Sequence, residues 1–209
     1  MKKGSNKQMQ SSAFRIVIII LLLGLIGTLG YMLWQGNQKQ IDVIKPAADF
    51  KLENVDGQGV TLSGTQGKAR LVYFFFSTCP DVCPPTTYNL SKVQNVLKEK
   101  GVFGTKTALM SISFDPTNDT RERLKEFGDR FQADYSGWYF LRGDEKYVID
   151  LAKQYEVLVV KNPKDGSFTH SNLWLLVDAK GQIRTYYKGD AEDLDIEQVA
   201  KDLIQISKD

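Results

Sequence analysis

The fold of this chain is decided by Phe74-Phe75-Phe76-Ser77-Thr78-Cys79-Pro80-Asp81-Val82-Cys83-Pro84. The apolar run at residues 71–76 has no polar face, which predicts a strand buried in the centre of a sheet. Pro84 suits the first turn of a helix, because the N–H group that proline lacks would be unpaired there. The stretch therefore predicts a buried strand that leads through two cysteines into a helix.

The segments on either side predict more strands and helices. A turn at residues 56–59 joins two short strands into a hairpin. After the cysteines we expect helices at 84–100, 121–131, 144–155 and 194–206, and strands at 108–114, 138–141, 157–160, 173–177 and 183–187. The motif Asp119-x-x-Glu122 resembles a capping box that opens the second of these helices. This order predicts an α/β fold with a mixed central sheet, and its simplest form is a thioredoxin-like fold with an N-terminal β-hairpin and an inserted helix.

The N-terminal region predicts one transmembrane helix. Residues 16–34 contain no charge over 19 positions, close to the length that a helix needs to cross the roughly 30 Å hydrocarbon core of a bilayer. Basic residues precede this run, which places the N-terminus in the cytoplasm and the rest of the chain on the outer side. We expect a leader at 1–14, an anchor at 15–34, a linker at 35–46 and a folded domain at 47–209.

A cleaved signal peptide is the alternative interpretation of this region. The apolar run is longer than the usual 7–15 residues of a signal peptide, and no A-x-A-like cleavage site follows it. Both interpretations place the folded domain outside the cytoplasm, where thiols oxidise unless a partner or a metal protects them. The leader lacks the Arg- and Ser-rich character of a mitochondrial presequence, which favours a single-pass protein of a bacterial cell membrane.

Composition and charge exclude one class of function. The chain has 209 residues, of which 42% are hydrophobic and 25% charged, as in ordinary globular proteins. Residues 1–46 hold six basic side chains and one acidic one, whereas residues 47–209 hold 21 basic and 24 acidic ones. The folded domain therefore has no basic excess for nucleic acid, and we expect no nucleic-acid partner.

Cys79 and Cys83 are the only cysteines of the chain. Their spacing of four positions predicts that both lie on one face of a helix, with Cα atoms roughly 6 Å apart, within reach of a disulfide or of one metal ion. A helix N-terminus also stabilises a thiolate. A purely structural disulfide is the alternative, but so short a loop constrains the unfolded chain little.

His170 is the only histidine, and it directly precedes another buried strand. A lone histidine is more often incidental than a ligand, but at this position its imidazole could reach the two sulfurs. Two thiolates and an imidazole suit copper, and zinc is second because no fourth Cys or His is available. Asp115 follows the second buried strand and is a candidate hydrogen-bonding group beside the site, although the strand exit before Pro116 is the stronger explanation.

These features together resemble the Sco/SenC family of membrane-anchored copper proteins. The resemblance covers residues 47–209 and rests on the anchor, the Cys79–Pro84 motif, the segment 113–120 (SFDPTNDT) and His170 ahead of a strand. It implies a thioredoxin-like fold in which Cys79, Cys83 and His170 bind copper, as Cu(I) or Cu(II). It also implies assembly of the dinuclear copper centre of cytochrome c oxidase subunit II, with a copper donor and a thiol reductant as further partners. Thr169 departs from the family, which often has aspartate there.

Two functional hypotheses follow. The first is a metallochaperone that binds copper and passes it to a partner by ligand exchange. The second is a thiol–disulfide oxidoreductase, with Cys79 as the attacking thiolate and Cys83 resolving, which would reduce the cysteines of the copper acceptor. General oxidoreductases usually have two residues between their cysteines and a proline before the facing strand, whereas here three residues intervene and His170 takes that place. The sequence therefore favours the metallochaperone.

Overall fold

The computed structural model describes residues 5–36, 41–79 and 83–209. Pro80, Asp81 and Val82 of the cysteine motif lie outside the described residues, as do residues 1–4 of the predicted leader and 37–40 of the predicted linker. The described chain forms two units, which are a single N-terminal helix and a folded unit that begins at Ile41.

The N-terminal unit is helix α1, Ser5–Gly36. Its segment Phe14–Met32 has a mean hydropathy of 2.3 and no buried residues. By length and composition this segment is able to cross a membrane, as the sequence predicted, although an N-terminal signal sequence meets the same criterion. The helix is therefore compatible with both interpretations of the N-terminal region.

The strands of the folded unit are β1 Lys45–Pro46, β2 Lys51–Asn54, β3 Gly59–Thr61, β4 Ala69–Phe75, β5 Thr107–Ser113, β6 Trp138–Arg142, β7 Val159–Lys161, β8 Phe168–His170, β9 Leu173–Val177 and β10 Gln182–Lys188. They form an eight-stranded mixed sheet in the order β1-β10-β9-β4-β5-β6-β2-β3 and a separate two-stranded sheet of β7 and β8. The helices are α2 Cys83–Glu99, α3 Arg121–Arg130, α4 Glu145–Gln154 and α5 Ile196–Ile206.

Strand β4 is the centre of this sheet, and all of its residues are buried. It runs parallel to β5 and antiparallel to β9. Leu71, Tyr73 and Phe75 pack toward α2, α3 and α5 on one face, while Val72 and Phe74 pack toward α4 on the other. A strand that is covered on both faces needs apolar residues at every position, which is why its sequence does not alternate.

The observed topology confirms the predicted fold class. The order β4–α2–β5 followed by β9–β10–α5 is the thioredoxin-like arrangement. The β2–β3 hairpin precedes it, as predicted, with Leu52 opposite Val60. Helices α3 and α4, with β6 between them, are inserted between β5 and β9. The cysteines follow the carboxyl end of β4, and at this end of an open α/β sheet chemistry is usually found.

The folded unit differs from the prediction at its start, because it begins at Ile41 rather than at residue 47. Lys45 and Pro46 form β1, which pairs with β10 at the edge of the sheet. Ile41 is buried in the core, and its carbonyl accepts a hydrogen bond from Arg184 Nε at 2.8 Å. The polar composition of this segment gave no sign of a strand, because an edge strand of two residues has no periodicity.

The predicted capping residue of α3 is also wrong. The N-cap is Thr120, whose hydroxyl accepts from the backbone N–H of Arg123 at 3.2 Å. Asp119, which the sequence suggested for this role, points into the protein and is fully buried. Both residue types are good N-caps, so the sequence could not distinguish two neighbours. The N-cap of the later helix α4 is Asp144, whose carboxylate accepts from the backbone N–H of Tyr147 at 2.9 Å.

Candidate metal centre

The two cysteines are held by different local structures. Cys79 lies in the turn after β4, where its backbone N–H donates to the Phe76 carbonyl at 3.4 Å, and Cys83 is the first residue of α2. The sequence-based assumption that both cysteines lie on one helix is therefore wrong, because Cys79 precedes α2. Both are buried free thiols. The turn and the helix start nevertheless bring the two sulfurs together.

His170 reaches the cysteines from the small second sheet. It is the last residue of β8 and lies opposite Val159 of β7. Its Nε2 atom is 3.9 Å from the sulfur of Cys83. The two sulfurs and one ring nitrogen all lie within 4.8 Å of one another. The structure thus brings together the three residues that the sequence singled out.

The donor set fits one metal ion. Metal–sulfur and metal–nitrogen bonds of about 2.0–2.3 Å to one ion require donor atoms roughly 3.5–4 Å apart. The three atoms are already within 4.8 Å, so small side-chain adjustments are sufficient. Two sulfurs and one imidazole are soft and borderline donors, which favour copper over hard cations, and a structural zinc site would need a fourth protein ligand.

The imidazole of His170 is oriented for this role. Its Nδ1 lies 3.2 Å from the backbone carbonyl of Ser171. A carbonyl can only accept, so Nδ1 carries the hydrogen and Nε2 presents its lone pair toward Cys83. Burial lowers the pKa of His170, while the Ser171 carbonyl and Asp190 act in the opposite direction. The neutral ring is the form that binds metal.

Aromatic rings pack against His170. The ring centroids of Phe114 and Phe76 lie 5.2 Å and 5.9 Å from that of the imidazole. Phe168 packs against both phenylalanines, at 5.1 Å and 5.7 Å. Such rings exclude water, which strengthens polar interactions at the site and limits the ways in which the imidazole can move.

The Cys83 thiol is not activated in the way that the sequence suggested. Burial raises the pKa of Cys83 to about 12, even though the thiol is at a helix N-terminus. The nearby buried hydroxyl of Tyr73 acts in the opposite direction, and Cys79 raises the pKa further. Desolvation of a fully buried sulfur exceeds the effect of the helix dipole, which is typically below about 1 kcal/mol. Without a metal, Cys83 is therefore a protonated thiol at neutral pH.

Asp115 does not belong to the group of three donors. It is buried in the loop after β5, where its carboxylate accepts from the side chain of Asn118 at 2.8 Å. Its backbone N–H donates to the hydroxyl of Ser113 at 3.1 Å. These contacts agree with a structural role at the strand exit. A role for Asp115 beside the ligands stays a prediction.

Sequence reasoning missed two residues near the site. Tyr73 lies beside the Cys83 thiol inside the core. It belongs to an apolar run, and nothing in that run indicates that Tyr73 has a role different from that of the neighbouring phenylalanines. Asp119 accepts hydrogen bonds from Ser77, two residues before Cys79. The only available signal for Asp119 was its neighbour Thr120. Because Thr120 is an equally good N-cap, the helix did not require Asp119 in that role.

Comparison with known proteins shows the family to which the chain belongs. The SCO1/SenC family model matches residues 38–207. The SCO1 protein homolog of Bacillus subtilis is 29% identical over 142 residues, which cover 67% of this chain and 72% of that protein. The structure of BsSco, described as a member of the Sco family of cytochrome c oxidase assembly proteins with a disulfide switch, has a TM-score of 0.71 at 27% identity and covers 82% of this chain and 99% of its own. Bradyrhizobium japonicum ScoI with copper bound has a TM-score of 0.65 at 27% identity, over 77% of this chain and 99% of its own. The chain therefore belongs to the SCO1/SenC family.

Proposed function

We propose that this protein is a copper metallochaperone in the assembly of cytochrome c oxidase. Cys79, Cys83 and His170 bind one copper ion, as Cu(I) or Cu(II), and pass it to an acceptor by ligand exchange. The observation that carries the proposal is the convergence of two sulfurs and one ring nitrogen within 4.8 Å. Related proteins support it, since one was solved with copper bound and another is described as a cytochrome c oxidase assembly protein.

The acceptor in this proposal is the dinuclear copper centre of cytochrome c oxidase subunit II. Helix α1 anchors the chain in the cell membrane, with its N-terminus in the cytoplasm and the residues from Ile41 onward on the outer side. The basic side chains before Phe14 support this orientation. A copper donor supplies the ion.

The redox state of the cysteines controls loading in this proposal. When a partner disulfide takes two electrons and two protons from Cys79 and Cys83, it becomes two thiols, and the new disulfide in this chain removes two of the three donor atoms. A thiol reductant must return the two electrons and two protons before copper binds again. The two sulfurs are within 4.8 Å of each other, so an approach to the S–S bond length of about 2.05 Å would join them.

A copper titration tests the central proposal. The reduced fragment 41–209 is titrated with Cu(I) and with Cu(II) against a competing chelator, and one-to-one binding is expected. His170→Ala should weaken binding at least about tenfold, since one of three donors is lost. Thr169→Ala is the matched control, because Thr169 neighbours His170 on β8 and is exposed. Equal binding by the wild type and His170→Ala would exclude the three-ligand site.

Thiol–disulfide exchange is the second candidate function. It is favoured by the two adjacent free thiols and by the disulfide switch described for BsSco. In this case Cys79 attacks an acceptor disulfide and Cys83 resolves the mixed disulfide, so that the acceptor leaves with two thiols. Rapid reduction of insulin by the reduced domain, without copper binding, would establish this function in place of the first.

The anchor has a separate test. Membranes from cells that express the full chain are washed at high salt and then extracted with detergent. An anchored protein stays in the washed membranes and appears in the detergent extract at the mass of the uncleaved chain. A shorter mass in the soluble fraction would show instead that the N-terminal segment is a cleaved signal peptide.

A further inference from the structure

The buried carboxylate of Asp119 accepts hydrogen bonds from the turn that carries Cys79. Ser77 lies between the end of β4 and Cys79, and its backbone N–H donates to Asp119 Oδ2 at 3.0 Å. The Ser77 hydroxyl donates to the same carboxylate. Asp119 is 0% exposed and Ser77 is 8% exposed. The first residues after β4 are thus fixed through both a backbone and a side-chain donor.

The same carboxylate also holds the neighbouring strand. The hydroxyl of Ser113, the last residue of β5, donates to Asp119 Oδ2. Phe75 and Ser113 are paired in the parallel register of β4 and β5. Asp119 therefore joins the carboxyl ends of two adjacent strands at the point where the chain leaves β4 toward Cys79.

Two arginines hold this arrangement in place from outside. Arg142 Nε donates to the backbone carbonyl of Asp119 at 2.9 Å, and Arg142 Nη2 donates to that of Pro116 at 3.1 Å. Arg123 Nε donates to the hydroxyl of Ser77 at 3.2 Å. The loop that presents Asp119 is thus attached to β6, and the Ser77 side chain that it holds is attached to α3.

No role described so far explains a buried carboxylate at this position. Asp119 is not the N-cap of α3, and it is not one of the three donor residues. Burial raises the pKa of Asp119, and the hydrogen bonds from Ser113 and Ser77 act in the opposite direction. A buried carboxyl group is costly to keep, so its hydrogen bonds must serve the structure around it.

We propose that Asp119 is the positioning residue of the cysteine site, which fixes the turn before Cys79 through Ser77 and so sets where the Cys79 sulfur lies relative to Cys83 and His170. The effect on thiol reactivity does not depend on copper binding, whereas the effect on copper rests on the proposed function. Without Asp119 the turn after β4 loses its acceptor, and the Cys79 side chain samples positions away from the other two donors.

The reactivity of the two thiols tests this proposal without copper. The alkylation rates of Cys79 and Cys83 are measured separately by mass spectrometry in the reduced fragment 41–209. Asp119→Ala should raise the rate at Cys79 about tenfold and change that at Cys83 much less, because the freed turn exposes only the first thiol. Equal rates in Asp119→Ala and the wild type would overturn the proposal.

Asp178→Ala is the matched control for general destabilisation. Asp178 is also buried, and its carboxylate accepts from the backbone N–H of Gln182 and from Arg184 Nη1, each at 2.9 Å. It follows β9 and lies near the start of β4, about 20 Å along the strand from the cysteines. If Asp178→Ala raises the Cys79 rate as much as Asp119→Ala does, the effect is only loss of stability and the proposal fails.

Copper spectra and a conservative variant complete the test. Asp119→Asn keeps the shape and one acceptor oxygen, so its Cys79 rate should fall between those of the wild type and Asp119→Ala. This variant and Ser77→Ala replace Asp119→Ala if the latter does not fold.

Copper spectra give a second measurement. In the Cu(II)-loaded Asp119→Ala variant, loss of the Cys79 sulfur from the copper ion should reduce the sulfur-to-copper charge-transfer absorption by roughly half relative to the wild type. If the wild type binds no copper, the proposed function fails, while the alkylation rates still decide the role of Asp119.

Discussion

The Nε2 atom of His170 lies 3.9 Å from the sulfur of Cys83, across a separation of 87 positions in the chain. The two residues meet because β8 ends beside the start of α2, at the carboxyl end of β4. Every donor comes from a different element, so the site exists only in the folded chain. A metal that binds this site must therefore stabilise the native state by mass action.

Metal affinity should depend on pH through Cys83. The pKa of its thiol is raised to about 12, so the thiol is protonated throughout the neutral range and each bound ion must displace that proton. The pKa of His170 is lowered, so above neutral pH the imidazole has no proton to release from Nε2. Apparent copper affinity should thus rise at least about tenfold per pH unit between about pH 7 and 9. Competition titrations across this range measure the slope of log affinity against pH, which is the number of protons released on binding. Cys83→Ser should lower that number by one. A flat profile would contradict a buried, protonated Cys83.

Much of this arrangement could be predicted from the sequence. Strand β4 was predictable because both of its faces are covered, which requires an unbroken apolar run. The site residues were predictable because the chain has only two cysteines and one histidine, in the segments that follow or precede a buried strand pattern. These signals are local, or depend on residue types too rare to be confused with others.

Other parts depend on contacts that no local pattern encodes. The pKa of Cys83 follows from burial against Tyr73, and the sequence showed only a helix start that favours thiolate. The sequence predicted Asp119 to be an N-cap, because only the folded chain brings its carboxylate into contact with Ser77. Strands β1 and β8 have two and three residues, which is too short for a period of two to be recognised.

The start of the folded unit gives a stability prediction. The fragment 41–209 should be more stable than the fragment 47–209 by about 2–4 kcal/mol, because the shorter one loses the buried Ile41 side chain and leaves the guanidinium of Arg184 without the Ile41 carbonyl. Urea unfolding of both fragments measures the difference. Val43→Ala in the longer fragment is the control, since Val43 is half exposed and should change stability by less than about 0.5 kcal/mol. Equal midpoints for the two fragments would place residues 41–46 outside the fold.

Gly189, which follows β10, should not tolerate a side chain. A Cβ atom there would lie 2.6 Å from Trp174 Nε1, 2.9 Å from Thr86 Cγ2 and 3.0 Å from Asn172 Oδ1. Trp174 is fully buried and cannot move aside, so Gly189→Ala should lower the free energy of unfolding by about 1–3 kcal/mol. Gly59→Ala is the control, because the nearest atom to its Cβ would be Lys51 Cε at 3.6 Å. Thermal unfolding compares the two variants, and equal melting temperatures would show that the packing around Gly189 is loose.

Tyr73→Phe should weaken copper binding without weakening the fold. The Tyr73 hydroxyl lowers the pKa of Cys83, so its loss raises that pKa further and makes the proton harder to displace. Copper affinity at neutral pH should fall about three- to tenfold, while the free energy of unfolding changes by less than about 1 kcal/mol.

Tyr155→Phe separates this effect from the loss of any buried hydroxyl. Tyr155 is fully buried on the opposite face of the sheet, and its hydroxyl donates to the Ala48 carbonyl at 2.7 Å. Its loss should lower the free energy of unfolding by about 1 kcal/mol and leave copper affinity unchanged, because no donor of the metal site is near. Competition titrations and urea unfolding of both variants give the comparison. If Tyr73→Phe binds copper as tightly as the wild type does, then the hydroxyl does not act on Cys83, and burial alone sets the pKa of that thiol.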